Sequence, residues 1–399
     1  MNQIVPTRHP RTPRAVPGLR PFALLLGIRR PDTRRWQALG ESLLVADPAM
    51  DELAAWMCET GTATTRPLFD QALASGIASI PDPPAPLAAF FRHIETPPAW
   101  VDPALLRRGA QVYRMGGADG LYLARDVSFL GGYLASGFNK TLLRTGALEK
   151  GPAARFADTL RWAMDVSGED AMAPFGAGYR STLRVRLIHA LVRRQLLAEP
   201  DWRTGEWGLP INQTDMAATL VGALLAPFVG GMAMGMLPRR ADLDAAAHLT
   251  RYVGWLIGVE DQWLPTGFRD GVRVLYHCLT AIMNPDETSR RLAIPMARDP
   301  LGWSYPNMPR LRGQLARAQH LSIATTFLGP RAVHRLGLWP YMPPWYPLLR
   351  FPVNLARSAA ARFARDGRVH AAERGRRQQQ RFLELLTAAP ITAGAPTQL

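Results

Sequence analysis

Apolar positions recur at three- and four-residue spacing along most of this chain, while runs alternating apolar with polar under β-branched enrichment are missing. The pattern predicts an all-α protein with additional helices and long proline-containing loops around its core. From Trp36, WQALGESLLVADPAMDELAAWM carries helical spacing in two pieces, with Asp47-Pro48 as the start signal of the second. GTATTRPLFDQALASG adds a short helix ending at Gly76, and prolines at 81, 83, 84, 86, 97 and 98 then mark a connector holding one brief helix. Asp102-Pro103 opens a helix through Tyr113, and a longer apolar pair runs from Gly120 to Thr145. Between Arg155 and Arg194 two helices flank a Gly/Pro-rich connection. ADLDAAAHLTRYVGWLIGVEDQWLP is an amphipathic helix stopping near Pro265, and GFRDGVRVLYHCLTAIMNP another, with His277 internal.

Residues 217–237 are uncharged for 21 positions, long enough to cross a bilayer. Pro227, four glycines and a high alanine content favour instead a helix buried in a large core. Lys and Arg number 47 against 32 Asp and Glu, a formal +15. Such a surplus favours anionic partners, or else reflects a coding bias that writes Arg for Lys. The basic residues are spread without a nucleic-acid motif, so no nucleic-acid partner is expected. Cys58 and Cys278 are the only cysteines, which argues against a disulfide framework and against covalent c-type haem attachment. The apolar run Phe22 to Ile28 is short, no small-residue cleavage site follows it, and the expected location is cytoplasmic.

The chemistry concentrates between Arg155 and Arg194. Arg186, His189 and Arg193 stand at i, i+3 and i+7, one stripe of a helix otherwise flanked by Val185, Leu187, Ile188, Leu191 and Val192. Arg155, Asp158 and Thr159 repeat that geometry on the preceding helix. A lone histidine is more often a hydrogen-bonded core residue than a ligand, but burying arginines requires anions. Haem meets these demands, a neutral imidazole holding iron and arginines binding propionates. The structural alternative is salt bridging to Asp165, Glu169 or Asp170. Zinc spacings, a Gly-x-Ser-x-Gly elbow and a phosphate-binding glycine loop are absent, and Gly116, Gly117 and Gly120 lack the strand a dinucleotide fingerprint needs.

The run RFADTLRWAMDVSG…APFGAGYRSTLRVRLIHALVRR, with LPINQTDMAATL and GWLIGVEDQWLP after it, resembles the latex clearing protein family of rubber oxygenases over roughly residues 35–290. It is also similar to the wider family that includes fungal oxygenases cleaving a farnesyl side chain in mycophenolate biosynthesis. The resemblance implies b-type haem in a globin-like helical core, and dioxygen used to cleave isoprenoid double bonds to carbonyl products. It implies that His189 is the iron ligand, with Arg186 and Arg193 beside the propionates or the ligand. Arg155 and Thr159 match the family's distal Arg and Thr. The lysine found in some members before that threonine is Asp158 here, a carboxylate in place to move an allylic proton. Asn139, Asp126 and Asp119 are candidates for the family's distal glutamate, and none is glutamate.

The expected organisation is a flexible basic arm over 1–33, a haem-binding oxygenase domain over 34–335, an aromatic and Arg-rich helical extension over 336–387, and a disordered tail over 388–399. In the extension Trp339, Tyr341, Trp345 and Tyr346 lead into eight arginines within 351–381, a composition suited either to packing on the protein or to peripheral membrane contact. The expected function is haem b-dependent cleavage of an apolar alkene by dioxygen. The alternatives are a non-catalytic haem-binding or haem-sensing protein and a basic peripheral-membrane protein.

Overall fold

The computed structural model describes residues 5–339 and 341–388, and among the described residues there are helices and loops but no strands. The chain opens on α1 (Arg20–Leu25) and α2 (Thr33–Glu41). Residues 5–33, expected as a flexible arm, are laid down on the core. Val16, Leu19, Ala23 and Ile28 are buried, Arg8 pairs with Asp215 at 2.7 Å, and Arg14 donates to the Ala281 carbonyl at 2.8 Å. Those charges have acceptors waiting more than 200 residues downstream, which local composition does not register.

Helices α3 (Pro48–Thr60), α4 (Thr62–Ser75), α5 (Ala85–Ile94) and α6 (Pro103–Met115) follow. Asp47 caps α3 by accepting from the Met50 amide, and Asp102 caps α6 by accepting from Ala104 and Leu105, each with proline in the first turn. Next come α7 (Gly117–Leu123), a turn of π-helix over Ala124–Phe129, α8 (Leu130–Gly132), α9 (Ser136–Arg144) and α10 (Ala147–Lys150). The middle of the chain holds α11 (Pro152–Val166), α12 (Ala177–Ala198), α13 (Thr204–Trp207), α14 (Gln213–Leu224), α15 (Ala226–Ala233), α16 (Arg240–Leu256) and α17 (Phe268–Ile282). The last third adds α18 (Glu287–Arg298), α19 (Pro309–Leu328), α20 (Pro330–Arg335), α21 (Trp345–Phe363) and α22 (Gly367–Thr387).

The largest core cluster runs from α1 to α17 and includes Phe69, Phe91, Leu183, Tyr252 and Trp263, each contributing about 1.5–3 kcal/mol of burial if leucine-sized or larger. Within it α6 lies along α16 and α14 along α17. A Cβ at Gly109 would stand 2.5 Å from the Ala245 carbonyl, so α6 and α16 meet backbone to backbone there. The apolar 217–237 stretch is two helices, not one, because the chain breaks at Leu225 and Pro227 sits in the first turn of α15. Gln213–Ala233 is apolar and long enough to cross a membrane by length and composition; within it α14 packs on α16 and α17 and buries Met216, Ala217, Leu220, Val221 and Leu224, while Thr219 is exposed. His277 is buried as expected and donates from Nε2 to the Arg29 carbonyl at 3.0 Å.

The C-terminal extension is integral to the molecule. Helix α22 packs on α6, α7 and α11 and buries Ala371, Ala372, Phe382 and Leu386, while Leu336 and Leu338, at the expected boundary, join a core cluster with α8, α18 and α19. Apart from Ala388, the expected tail lies outside the described residues.

Candidate functional site

Helices α11 and α12 form an antiparallel hairpin. Gly151, at φ 76°, and Pro152 start the first helix, and the Trp162 indole donates to Thr182 Oγ1 at 3.2 Å across the pair. Two helical turns from that tie, toward the open end, lie Arg155 on α11 and His189 on α12. Seven residues return a helix to nearly the same face, so these two side chains stand at one level on facing sides.

The polar stripe of α12 divides into two functions. Arg186 donates from Nε and Nη2 to Asp47 at 2.6 and 2.8 Å and from Nη1 to the Leu256 carbonyl at 3.1 Å. Arg193 pairs with Asp51 and donates to the carbonyls of Pro210 and Ile211 at 3.1 and 3.0 Å. The buried arginines thus find their anions on α3 and the residue that caps it, neither on a ligand nor in Asp165, Glu169 or Asp170. The expectation that they meet propionates lacks its physical reason, and their guanidinium groups lie behind His189 as structural ties. Gly258, at φ 89°, makes room for this: a Cβ there would come within 2.3 Å of Asp47 Oδ2 and 2.8 Å of Arg186 Nε.

The LPINQTD segment belongs to the same clamp. Asn212 caps α14 by accepting from the Asp215 amide, Gln213 donates to the carbonyls of Ala46 and Gly258, Thr214 donates to that of Leu39, and Asp215 holds Arg8. Its specificity as a motif comes from joining the α2–α3 connection, the end of α16 and the N-terminal segment behind α12.

His189 sits at the edge of this clamp, between the buried arginines and an open apolar face. Val185 and Val192 are half-buried, and Ile188 is 53% exposed. The imidazole is half-buried, and its Nδ1 is enclosed with no hydrogen-bond partner among the described residues. Burial first, then the charge of Arg193, pushes its pKa down to about 4 against the opposing pull of Asp47, so the ring is neutral at physiological pH.

On α11 the three expected residues separate. Arg155 donates to the Tyr133 hydroxyl at 3.2 Å, with its guanidinium 5.5 Å from the Phe129 ring centre. Thr159 bonds back to the Arg155 carbonyl at 3.3 Å. Asp158 is a surface residue paired with Lys150 and with Arg161 at 2.8 Å, so the structure does not give it the buried setting a proton-moving carboxylate beside Arg155 requires. The other distal candidates are all buried and engaged. Asp126 accepts from Arg125 and His320, Asp119 from Tyr346 and Arg350, and Asn139 donates to the Tyr133 carbonyl at 2.8 Å. Asn139 meets Tyr133 at its main-chain carbonyl and not at the hydroxyl that holds Arg155, and its Oδ1 is buried without a partner among the described residues.

Sequence reasoning missed Tyr133 and Phe129, which fix Arg155, and Asp47 and Asp51, which hold α12. The i, i+4 spacing of Phe129 and Tyr133 could have signalled the first pair; nothing local signals the second.

Among known proteins, the chain is 30% identical over 203 residues to the rubber oxygenase of Streptomyces sp. (strain K30), an alignment covering 49% of this chain and 47% of that relative. The chain therefore spans about half the length of the curated relative it matches. Its fold is similar to that of latex clearing protein in the closed state, with a TM-score of 0.66 and 20% identity, covering 87% of this chain and 92% of that one. A family model described as ER-bound oxygenase mpaB/B'/rubber oxygenase, catalytic domain, matches residues 113–365, more than half of the chain and all of the α11–α12 hairpin. On that match the chain belongs to the mpaB/rubber oxygenase catalytic-domain family.

Proposed function

We propose that this protein is a haem b-dependent oxygenase that uses dioxygen to cleave C=C bonds of an apolar, isoprenoid-like substrate. The observation that carries the reading is His189: a neutral imidazole with an orphaned buried nitrogen, bordering an uncovered apolar helix face and standing level with a cation on the facing helix. Among the described residues no three His, Cys, Asp or Glu side chains converge, so an ion held by side chains alone lacks a ligand set, whereas haem would need only a single side chain to hold it.

The residues fit haem, with His189 as the ligand and Val185, Ile188 and Val192 as apolar cover. Bound haem would supply the iron at which dioxygen is activated. The chain's part is orientation and electrostatics. The clamp of Arg186 and Arg193 fixes the rotation of α12 and hence the direction of His189. Tyr133 and Phe129 hold the Arg155 guanidinium, which stabilises developing negative charge on that side. The apolar face of Val185, Ile188 and Val192 beside His189 offers an alkene its contact surface.

The test is to reconstitute the full chain with haem and record its absorption spectrum and oxygen uptake with an unsaturated isoprenoid. A Soret band and substrate-dependent oxygen uptake, both lost in His189→Ala, are expected. A folded protein that stays colourless in excess haem overturns the reading, and a haem-loaded protein without oxygen uptake leaves haem sensing in its place.

A second proposal concerns α21, which presents Leu348 (68% exposed) and Leu349 (62%) together with Phe351 and Leu355 to the outside and ends on exposed Phe363. An apolar helix face flanked by aromatics and arginines is suited to lie in the interface of an anionic bilayer. This supports peripheral membrane contact as an accompaniment to catalysis.

A further inference from the structure

A cavity of about 160 Å³ lies between α6, α7, α11, α15, α21 and α22. It is separate from the His189 side of the hairpin. No residue of α12 lines it, and on α11 it is lined by Leu160, Ala163 and Met164 and by none of Arg155, Thr159 and Trp162. Its wall is mostly apolar, with Val112, Leu224 and Phe228 opposite those α11 residues.

The charges at its rim do not balance. Asp119 is already held by Arg350 and the Tyr346 hydroxyl, and Asp242 by Arg108 and Arg368. Arg239 donates to the Arg362 carbonyl. That leaves the exposed guanidinium of Arg362, 5.9 Å from the Phe363 ring centre, and Arg357 on α21 and Arg374 on α22, both half-buried and neither with a hydrogen bond or ion pair among the described residues. Burial lowers the pKa of Arg357, and the neighbouring charges of Arg350 and Arg374 lower it further. Two like charges held close and partly desolvated are unfavourable unless an anion joins them.

The geometry points to a second binding site here, for an amphiphile whose alkyl or isoprenyl chain enters the apolar cavity while its carboxylate or phosphate head bridges Arg357 and Arg374. Guanidinium forks match both head groups, and apolar cavities of this order take up hydrocarbon. Gly120 lines the cavity, and a Cβ at that position meets nothing within 4 Å, so a side chain there starts into open space.

Decyl phosphate and decanoate titrated calorimetrically into the full chain are expected to bind, with decanol much weaker and inorganic phosphate alone undetectable. The Arg357→Gln/Arg374→Gln double variant is expected to weaken both by about tenfold or more, the order lost with charge-assisted hydrogen bonds. Gly120→Leu plugs the cavity and is expected to remove binding while the arginines and the melting temperature are retained. His189→Ala leaves the affinity unchanged, so this site and the haem reading fail separately. Vesicles of phosphatidylcholine carrying lysophosphatidate identify the source: lipid recovered on the re-isolated protein assigns a bilayer, and uptake of the soluble amphiphile alone assigns a free metabolite. No binding from either source, decanol binding as tightly as decyl phosphate, or affinities unchanged in both variants would each overturn the proposal.

Discussion

Arg186 makes three hydrogen bonds, and all of them go to structure: two to Asp47 and one to the Leu256 carbonyl. Removing one partner of such a buried pair leaves an unpaired charge in a low-dielectric setting. Asp47→Asn is therefore expected to lower the unfolding free energy by about 3–5 kcal/mol, measured by urea denaturation of the apoprotein. A loss below about 1 kcal/mol, the scale of an exposed pair, would show that the clamp does not hold α12 as described. The requirement that buried arginines meet anions was legible in the sequence; the identity of the anions was not, because Asp47 lies 139 residues from Arg186 and nothing in local spacing selects it over Asp165 or Glu169. His189 stood out for the opposite reason, since its apolar flanks within one helix already set the imidazole among apolar side chains, where the ring is half-buried. Asp158 misled because i, i+3 spacing puts it beside Arg155 without saying that Lys150 and Arg161 draw it to the surface.

At the scale of elements, capping and periodicity placed most helices near their observed starts, as at Asp47-Pro48 and Asp102-Pro103. What spacing did not reveal was which apolar face each helix turns inward. Helix α21 shows the consequence, with an apolar row left uncovered while α22 beside it buries its own. Flotation of the full chain with vesicles of mixed anionic and zwitterionic lipid is expected to bring the protein to the top of the gradient. Leu348→Glu/Leu349→Glu should abolish that while the protein stays folded. Equal flotation of the double variant would remove α21 as the contact. The uncharged 217–237 stretch is the complementary case: its hydrophobicity was plain, and Pro227, visible in the sequence, is where it divides into α14 and α15.

For the molecule as a whole, part of the arginine content is internal. Arg8, Arg125, Arg186 and Arg193 are buried and ion-paired with Asp215, Asp126, Asp47 and Asp51, so these pairs cancel and the basic surplus is carried by the other residues. The N-terminal segment carries a pH dependence with it. His9 lies against Trp36 at 4.3 Å, and burial, then Arg14 and Arg8, push its pKa down to about 4. The folded state therefore disfavours the proton that the unfolded chain takes up near the ordinary histidine value. Stability is unaffected by His9 above about pH 6.5, falls as pH drops through the interval down to about 4, and loses nothing more from it below that. His9→Gln is expected to narrow the gap between melting temperatures at pH 7 and pH 5; a gap unchanged from the parent protein would assign the acid sensitivity elsewhere.

The anchoring of this segment also fixes an order of events. Thr7 and Arg8 bond through their amides to the carbonyls of Gly205 and Glu206, Arg8 reaches Asp215, and Arg14 reaches Ala281. During synthesis, this stretch is made before its partners and must wait, with Val16, Leu19 and Ile28 uncovered, until more than 200 further residues have emerged and packed. Closing so long a loop is slow and leaves apolar surface open to wrong partners in the meantime, so residues 5–33 are a segment through which folding is exposed to aggregation.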